Sequence, residues 1–350
     1  LTLGLVGLGV QGMASVPMGG LEYLRKCDLI YADTYTSPWP PDLLNQLSLE
    51  VRKNISHATR ALLEDGRKIL DEAKQSEVAI ITVGDPFLAT THIILKQRAK
   101  EMGVPVKIFY SSSIINVIFG ETGLHIYKLG RVITAVRNDK VVEDSLYPEV
   151  KDNLARNRHT LLLLEYDSDS GEYLAPSELL RTLRRMEENY KLGVFRDDRL
   201  VIVASRIGWS NQKICAGRLK DLVEKDFGEP PHSIIIPSDL HYTEADALAT
   251  LADVDKSILE QSNTKLEPPH VLLVNKAIHK TMMALEKGRR IAKEKHMEEL
   301  DDVFENVECY LSDAQRFLLD GKPELALLQA GYAEGLLDSL RFQKILNFEW

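Results

Sequence analysis

The sequence predicts an α/β body followed by an all-α tail. Three observations carry this. Over the first 250 residues, short β-branched or leucine-rich runs alternate with amphipathic stretches. After about residue 255 the strand signals stop, and apolar residues recur with a period near 3.6. The length of 350 residues allows two to three domains at about 150 residues each.

In order, residues 1–8 read as a buried strand ending in glycines, 21–26 as a helix and 29–32 as a second strand. Residues 61–73 have helical spacing, 78–83 form a strand before Gly84-Asp85-Pro86, 93–102 a helix and 106–110 a strand. A largely parallel sheet follows from this βαβ alternation. A second α/β domain then starts near residue 111, with strands at 131–136, 160–166, 200–205 and 232–237. Helices are expected at 177–190 and 216–227. In the tail, 271–295, 297–319 and 324–340 carry helical patterns, and Gly321-Lys322-Pro323 punctuates the last two. Residues 262–269 read as a linker. The expected domains are 1–110, 111–255 and 256–350.

The chain carries 43 basic and 52 acidic residues, a net charge of −9, which argues against binding along a nucleic-acid backbone. Cys27, Cys215 and Cys309 lie far apart and form no disulfide framework, which suggests a reducing compartment. No apolar run reaches the ~18 residues of a membrane span. The apolar start has no basic residue before Arg25, so no secretory signal is expected. Cytoplasmic localisation follows as the expectation. Clustered Cys/His ligands are lacking, and Asp167-Ser168-Asp169-Ser170 reads as a hairpin turn, so no metal is expected.

Gly7-Leu8-Gly9-Val10-Gln11-Gly12 matches G-x-G-x-x-G after a strand, and Asp33 follows Gly12 by 21 residues. That spacing fits a dinucleotide fingerprint, with the acid on a ribose hydroxyl, and points to an NAD(P)-dependent oxidoreductase. Against it, Pro17, Gly19 and Gly20 interrupt the helix that should follow the turn.

A wider constellation changes the reading. Gly84-Asp85-Pro86-Phe87-Leu88-Ala89-Thr90-Thr91-His92 and Thr122-Gly123-Leu124-His125-Ile126-Tyr127-Lys128 are its sharpest parts. Tyr35-Thr36-Ser37, Ser113-Ile114, His159-Thr160-Leu161-Leu162 and Asp226-Phe227-Gly228-Glu229-Pro230-Pro231-His232 extend it. Together they resemble the diphthine synthase family, class III (tetrapyrrole-methylase-like) methyltransferases. The resemblance implies two α/β domains with S-adenosyl-L-methionine in the cleft between them, usually in a homodimer. It implies methylation of the amino group of a 3-amino-3-carboxypropyl arm on a histidine of translation elongation factor 2, giving diphthine. Methyl transfer from a sulfonium needs chiefly in-line positioning, which suits a chain without a nucleophile or metal motif.

The resemblance assigns cofactor contacts to Val10, Asp85, Leu88, Ser113, Ile114, Leu164, Ile207 and His232. It assigns no catalytic residue. Each also has a plainer role: Asp85 as turn aspartate, Leu164 as sheet core, His232 as a structural histidine. Thr90, Thr91 and His92 suit capping of the next helix. His125, Tyr127 and His159 are candidates near the acceptor without an assigned role. The family's acidic Asp-Ile-Thr run after the first glycine turn is replaced by 11–17, and Trp39 and Gly208-Trp209 are further departures. The tail, at Tyr310-Leu311-Ser312-Asp313-Ala314 and 332–338, resembles an archaeal helical domain of unknown function. It suggests recruitment of the elongation factor, dimer stabilisation or a packing role. A non-catalytic adapter acting through this tail is the non-enzymatic alternative.

Overall fold

A computed structural model describes residues 1–138, 141–142, 145–167, 171–252, 254–261, 269–348 and 350. Of the turn expected at 167–170 and the linker expected at 262–269, residues 168–170 and 262–268 lie outside these, and Pro269 opens a helix. Two compact units emerge, Leu1–Lys265 and Leu266–Trp350.

The first unit holds two five-stranded sheets. The first sheet contains β1 (Thr2–Gly7), β2 (Leu29–Asp33), β3 (Ser56–Ala58), β4 (Glu77–Thr82) and β5 (Val106–Phe109) in the order β3-β2-β4-β1-β5. Every pairing in it is parallel. β1 and β4 are buried almost throughout, as strands covered on both faces must be. The connections are α1 (Met18–Lys26), α2 (Leu43–Val51), α3 (Arg60–Asp65), α4 (Arg67–Ala73) and α5 (Ile93–Glu101). The single helix expected over 61–73 is broken in two at Gly66. Its φ is +65°, and a Cβ there would sit 2.2 Å from Leu95 Cδ2, so the break lets α5 pack closely.

A helix α6 (Ile114–Thr122) leads into the second sheet. That sheet contains β6 (Ile133–Ala135) and, after the short pair β7 (Arg137–Asn138) and β8 (Val141–Val142) and helix α7 (Leu146–Ala155), β9 (Thr160–Leu164). Helix α8 (Pro176–Tyr190), β10 (Leu200–Ser205), β11 (Lys213–Arg218), the short α9 (Leu219–Leu222), β12 (His232–Ile236), α10 (Tyr242–Leu251) and α11 (Lys256–Gln261) complete the unit. The sheet order is β11-β10-β12-β9-β6, antiparallel except for β6 with β9. The helix expected over 216–227 is therefore mostly wrong. Residues 213–218 pair antiparallel with β10, because the β10 edge needs hydrogen-bonding partners that local helical spacing does not register.

The second unit is a bundle of α12 (Pro269–Glu294), α13 (Asp301–Leu319) and α14 (Pro323–Phe342). Its core gathers Val274, Ile278, Phe304, Val307, Leu311 and Leu337. Among the described residues, no helix is long and apolar enough to cross a membrane.

Candidate active site

In a parallel sheet, the loops after the strands gather at one edge. Here the loops after β1, β2, β4 and β5 do so. Gly9 and Gly84 exchange backbone hydrogen bonds of 3.1 and 2.9 Å, tying the first glycine turn to the Gly-Asp-Pro turn. A Cβ on Gly7 would lie 2.6 Å from Gly84 O, so β1 must end in glycine. Ser15 organises the loop that stands where the family has its acidic run. Its Oγ accepts from Gln11 N at 2.9 Å and donates to Leu8 O at 2.7 Å, folding the 11–17 loop onto the strand end.

These loops face the second sheet across a cavity of about 530 Å³. Val10, Leu88, Ser113, Ile114, Leu164, Ile207 and His232 all line it. Asp85 does not: its neighbour Gly84 does, with φ of +85°. The Asp85 carboxylate is buried and accepts from Phe87 N at 2.9 Å, holding the turn behind the wall. Ser113 is both wall and N-cap of α6. It accepts from Ile115 N at 3.4 Å, while Asn116 Oδ1 accepts from Ser113 N at 2.8 Å.

The Thr90–His92 segment does not cap α5. Thr90 Oγ1 donates to Pro86 O at 2.6 Å, and His92 Nδ1 lies 3.0 Å from the same carbonyl. His92 Nε2 lies 3.2 Å from Asp33 Oδ2. Asp33 also accepts from Thr36 Oγ1 at 2.6 Å and from Thr36 N at 3.1 Å. Burial works to raise the Asp33 carboxyl, but hydrogen bonds from His92 and Thr36 outweigh it and hold it below the ordinary range. Asp33 is 1% exposed and does not line the cavity, so it cannot take a ribose hydroxyl. Gly12 opens a 3₁₀ turn rather than a helix. The dinucleotide reading fails on both counts. Asp33 is instead the anchor of the Tyr35–Ser37 wall. Trp39, a departure without meaning in the sequence, donates its indole N–H to Asp33 O at 2.8 Å.

Sequence reasoning missed several wall residues. Tyr35 was legible as part of a motif, whereas Arg60, Tyr166, Tyr173 and Trp209 carry no local signal and arrive by folding. Gly208 explains the Gly208-Trp209 departure. Its φ is +85°, and a Cβ would lie 2.5 Å from Val10 O, so the two halves of the wall meet backbone to backbone.

His232 lines the cavity with its imidazole buried in the wall. Burial pushes its imidazole down to about 4, so it is neutral near pH 7. Nε2 faces Phe227 O at 3.4 Å and takes the hydrogen, which leaves Nδ1 an acceptor. Nδ1 is buried and has no hydrogen-bond partner among the described residues. The cavity's walls mix apolar side chains (Val10, Leu88, Ile114, Ile207) with polar ones (Thr36, Ser113, Glu165, Ser233), which suits a nucleoside-bearing sulfonium such as S-adenosylmethionine.

The depressed pKa has a thermodynamic consequence. Below about pH 6.5 the unfolded histidine takes up a proton that the folded one refuses until about 4. Stability is therefore full above pH 6.5 and falls as the pH drops through that window. Between pH 8 and pH 5 this one group is expected to cost about 2 kcal/mol. Urea midpoints at the two pH values check it. His232→Phe should flatten that share of the slope, and an unchanged slope would remove the assignment.

His125, Tyr127 and His159 do not line the cavity. His159 precedes β9, whereas the wall residues Leu163 and Leu164 end it. His159 Nε2 donates to Glu244 Oε1 at 2.9 Å, and its Nδ1 accepts from Ser238 N at 3.0 Å. Glu244, fully buried, also accepts from His125 N and His241 N at 2.8 Å each and from Lys128 Nζ at 3.0 Å. Burial opposes its charge, yet these donors hold the carboxyl well below its usual range. Burial also lowers His159, with Glu244 only partly offsetting it. Much of the second motif is thus a structural hub. Among the described residues, no group of three or more metal-ligating side chains forms.

Residues 2–223 match the family of Tetrapyrrole (Corrin/Porphyrin) Methylases, and 272–346 match a family of unknown function, DUF357. The diphthine synthase of Methanothermobacter thermautotrophicus is 31% identical over 258 residues, 73% of this chain and 98% of that one. That of Methanocaldococcus jannaschii is 35% identical over 257 residues, 71% of this chain and 98% of that one. A crystal structure of a diphthine synthase matches with a TM-score of 0.66 and 26% identity, covering 74% of this chain and 99% of the other. The oxidoreductase and adapter alternatives give way to this kinship. The chain belongs to the tetrapyrrole methylase family, among the diphthine synthases, the S-adenosylmethionine-dependent methyltransferases of diphthamide biosynthesis.

Proposed function

We propose that the chain methylates the amino group of the 3-amino-3-carboxypropyl arm on a histidine of translation elongation factor 2, using S-adenosylmethionine held in the cavity between the two sheets. The carrying observation is the convergence of the family's contact positions, from loops of both sheets, on that one cavity of about 530 Å³. In this reading Val10, Leu88, Ser113, Ile114, Leu164, Ile207 and His232 hold the cofactor, and Asp85 sets the turn that presents Gly84. The two halves are 1–110 and 111–255, with 256–350 as accessory. We also take the working form as a cytoplasmic homodimer.

When bound, the cofactor supplies a methyl group on a sulfonium, activated for in-line displacement. The chain's residues supply position and surroundings. Ile114 and Ile207 exclude water, which disfavours the charged form of an acceptor ammonium and favours the free amine that attacks. Arg60, with its side chain 70% exposed and paired to Glu64 at 2.7 Å, marks where the cavity wall reaches solvent and a protein acceptor.

Calorimetric titration with S-adenosylhomocysteine tests the cofactor half. One saturable site per chain is expected, weakened about tenfold or more in Gly208→Val, whose new Cβ would meet Val10 O in the cavity wall. Mass spectrometry of elongation factor 2 bearing the unmethylated arm tests the acceptor half. Methyl increments on that arm are expected. Cofactor binding without transfer would retain the methyltransferase and remove this acceptor.

A further inference from the structure

The helical unit carries a groove that its own fold does not need. It runs between α13 and α14 with a volume of about 930 Å³, walled by Val303, Tyr310, Leu327, Leu328, Tyr332 and Leu336. The buried faces of the same helices, at Phe304, Val307, Ala330 and Leu337, point into the bundle core. Leu328 and Tyr332 are 53% and 58% exposed, although they lie one turn apart on a helix facing water. Solvated helix faces are ordinarily polar.

Gly331 and Gly335 lie at the same face, one turn apart. Each glycine costs a helix interior roughly 1 kcal/mol relative to alanine. Neither has an internal reason to be glycine: a Cβ at either position meets nothing within 4 Å. Gly288 of α12 differs, since a Cβ there would lie 3.4 Å from the Phe304 ring. The bare strip on α14 lets another backbone approach closely.

Charge says what approaches. Together α13 and α14 contain eight Asp or Glu, two Arg and no Lys. Four of the acids are paired: Glu308 with Arg289, Asp313 with Arg316, Glu334 with Lys280 and Asp338 with Arg341. Asp302, Glu305 and Glu324 are exposed and have no ion-pair partner among the described residues, and Glu324 lines the groove. Stacking two copies of this face would set acid against acid, and an anionic lipid surface would be repelled in the same way.

We propose that this groove docks an amphipathic helix of a protein partner, one whose apolar stripe is flanked by lysine or arginine. From Glu324 to Leu336 the groove runs about 18 Å, enough for some three helical turns. Apolar anchors would enter beside Tyr310 and Tyr332, while basic flanks meet Asp302, Glu305 and Glu324.

The test uses the full chain and two fluorescein-labelled helical peptides of about 18 residues. One carries a leucine stripe flanked by lysines, and the other the same stripe flanked by glutamates. Fluorescence anisotropy should show saturable binding of the lysine peptide, one per chain, and little of the glutamate peptide. Gly331→Leu projects a side chain from the groove wall, where a Cβ meets nothing within 4 Å. It should weaken the lysine peptide about tenfold or more while helix content and S-adenosylhomocysteine titration stay unchanged. Glu324→Lys should weaken it as well. Equal binding of both peptides, or no effect of Gly331→Leu, would overturn the proposal. So would retention on phosphatidylserine vesicles, or a dimer in sedimentation that Gly331→Leu dissociates.

Discussion

Replacing Glu244 by alanine is expected to cost about 3–5 kcal/mol of stability, the loss typical of breaking a buried ion pair from one side. The carboxylate is fully buried and takes hydrogen bonds from two backbone N–H groups, His159 and Lys128. Without it, Lys128 keeps a charge with no counterion at its side, and two amides lose their acceptor. Urea denaturation at pH 7.5 measures the loss, and a cost under about 1 kcal/mol would contradict this account. Folded Glu244→Ala should bind S-adenosylhomocysteine like the parent. The hub sits at the start of β9 and the cavity wall at its end, roughly 16 Å along the strand.

Gly208→Val should combine a stability loss of about 3 kcal/mol with a tenfold or greater loss of S-adenosylhomocysteine affinity. Two costs add at this position. A φ of +85° is strained for any L side chain, and the new Cβ would meet backbone oxygen Val10 O at 2.5 Å. That oxygen cannot swing away as a flexible side chain can, so the wall itself must shift. Gly12 is the internal control. Its φ is also positive, at +60°, but a Cβ there meets nothing within 4 Å. Gly12→Ala should therefore cost only about 1 kcal/mol and leave binding intact. If both variants behave alike by calorimetry and urea titration, the close approach at Val10 is not what shapes the site.

Among the site residues, legibility depended on whether the signal was local. The strand-end glycines and the Gly-Asp-Pro turn state their geometry in a few neighbouring letters. Arg60, Tyr166, Tyr173 and Trp209 reach the cavity from separate elements, and no short window joins them. The misread segments follow the same division. The helix expected over 216–227 gives way at its start to β11, which pairs with β10, because an unpaired sheet edge is satisfied only by a partner distant in sequence. The helical spacing over 61–73 runs through Gly66, against which Leu95 packs in the fold.

His159 and Asp33 show the limit for single polar residues. Both sat in contexts that suggested chemistry, one in a family motif and one at a ribose-binding spacing. In the fold both are buried anchors, of the Glu244 hub and of the Tyr35–Ser37 wall. A polar side chain's role is set by the partners that desolvation forces it to find, and those come from elsewhere in the chain.

The sequence by itself determined the alternation of strands and helices in an α/β body, the turn chemistry at the strand ends, the all-α tail and the methyltransferase kinship. These rest on periodicity and on short motifs, which neighbouring residues define. Tertiary structure decided that the second sheet is mostly antiparallel, that Gly208 closes on Val10, that Nδ1 of His232 is left unpaired, and that α14 exposes an apolar strip beside acids. Each of these depends on which surfaces meet and which polar groups lose water, and packing alone settles that.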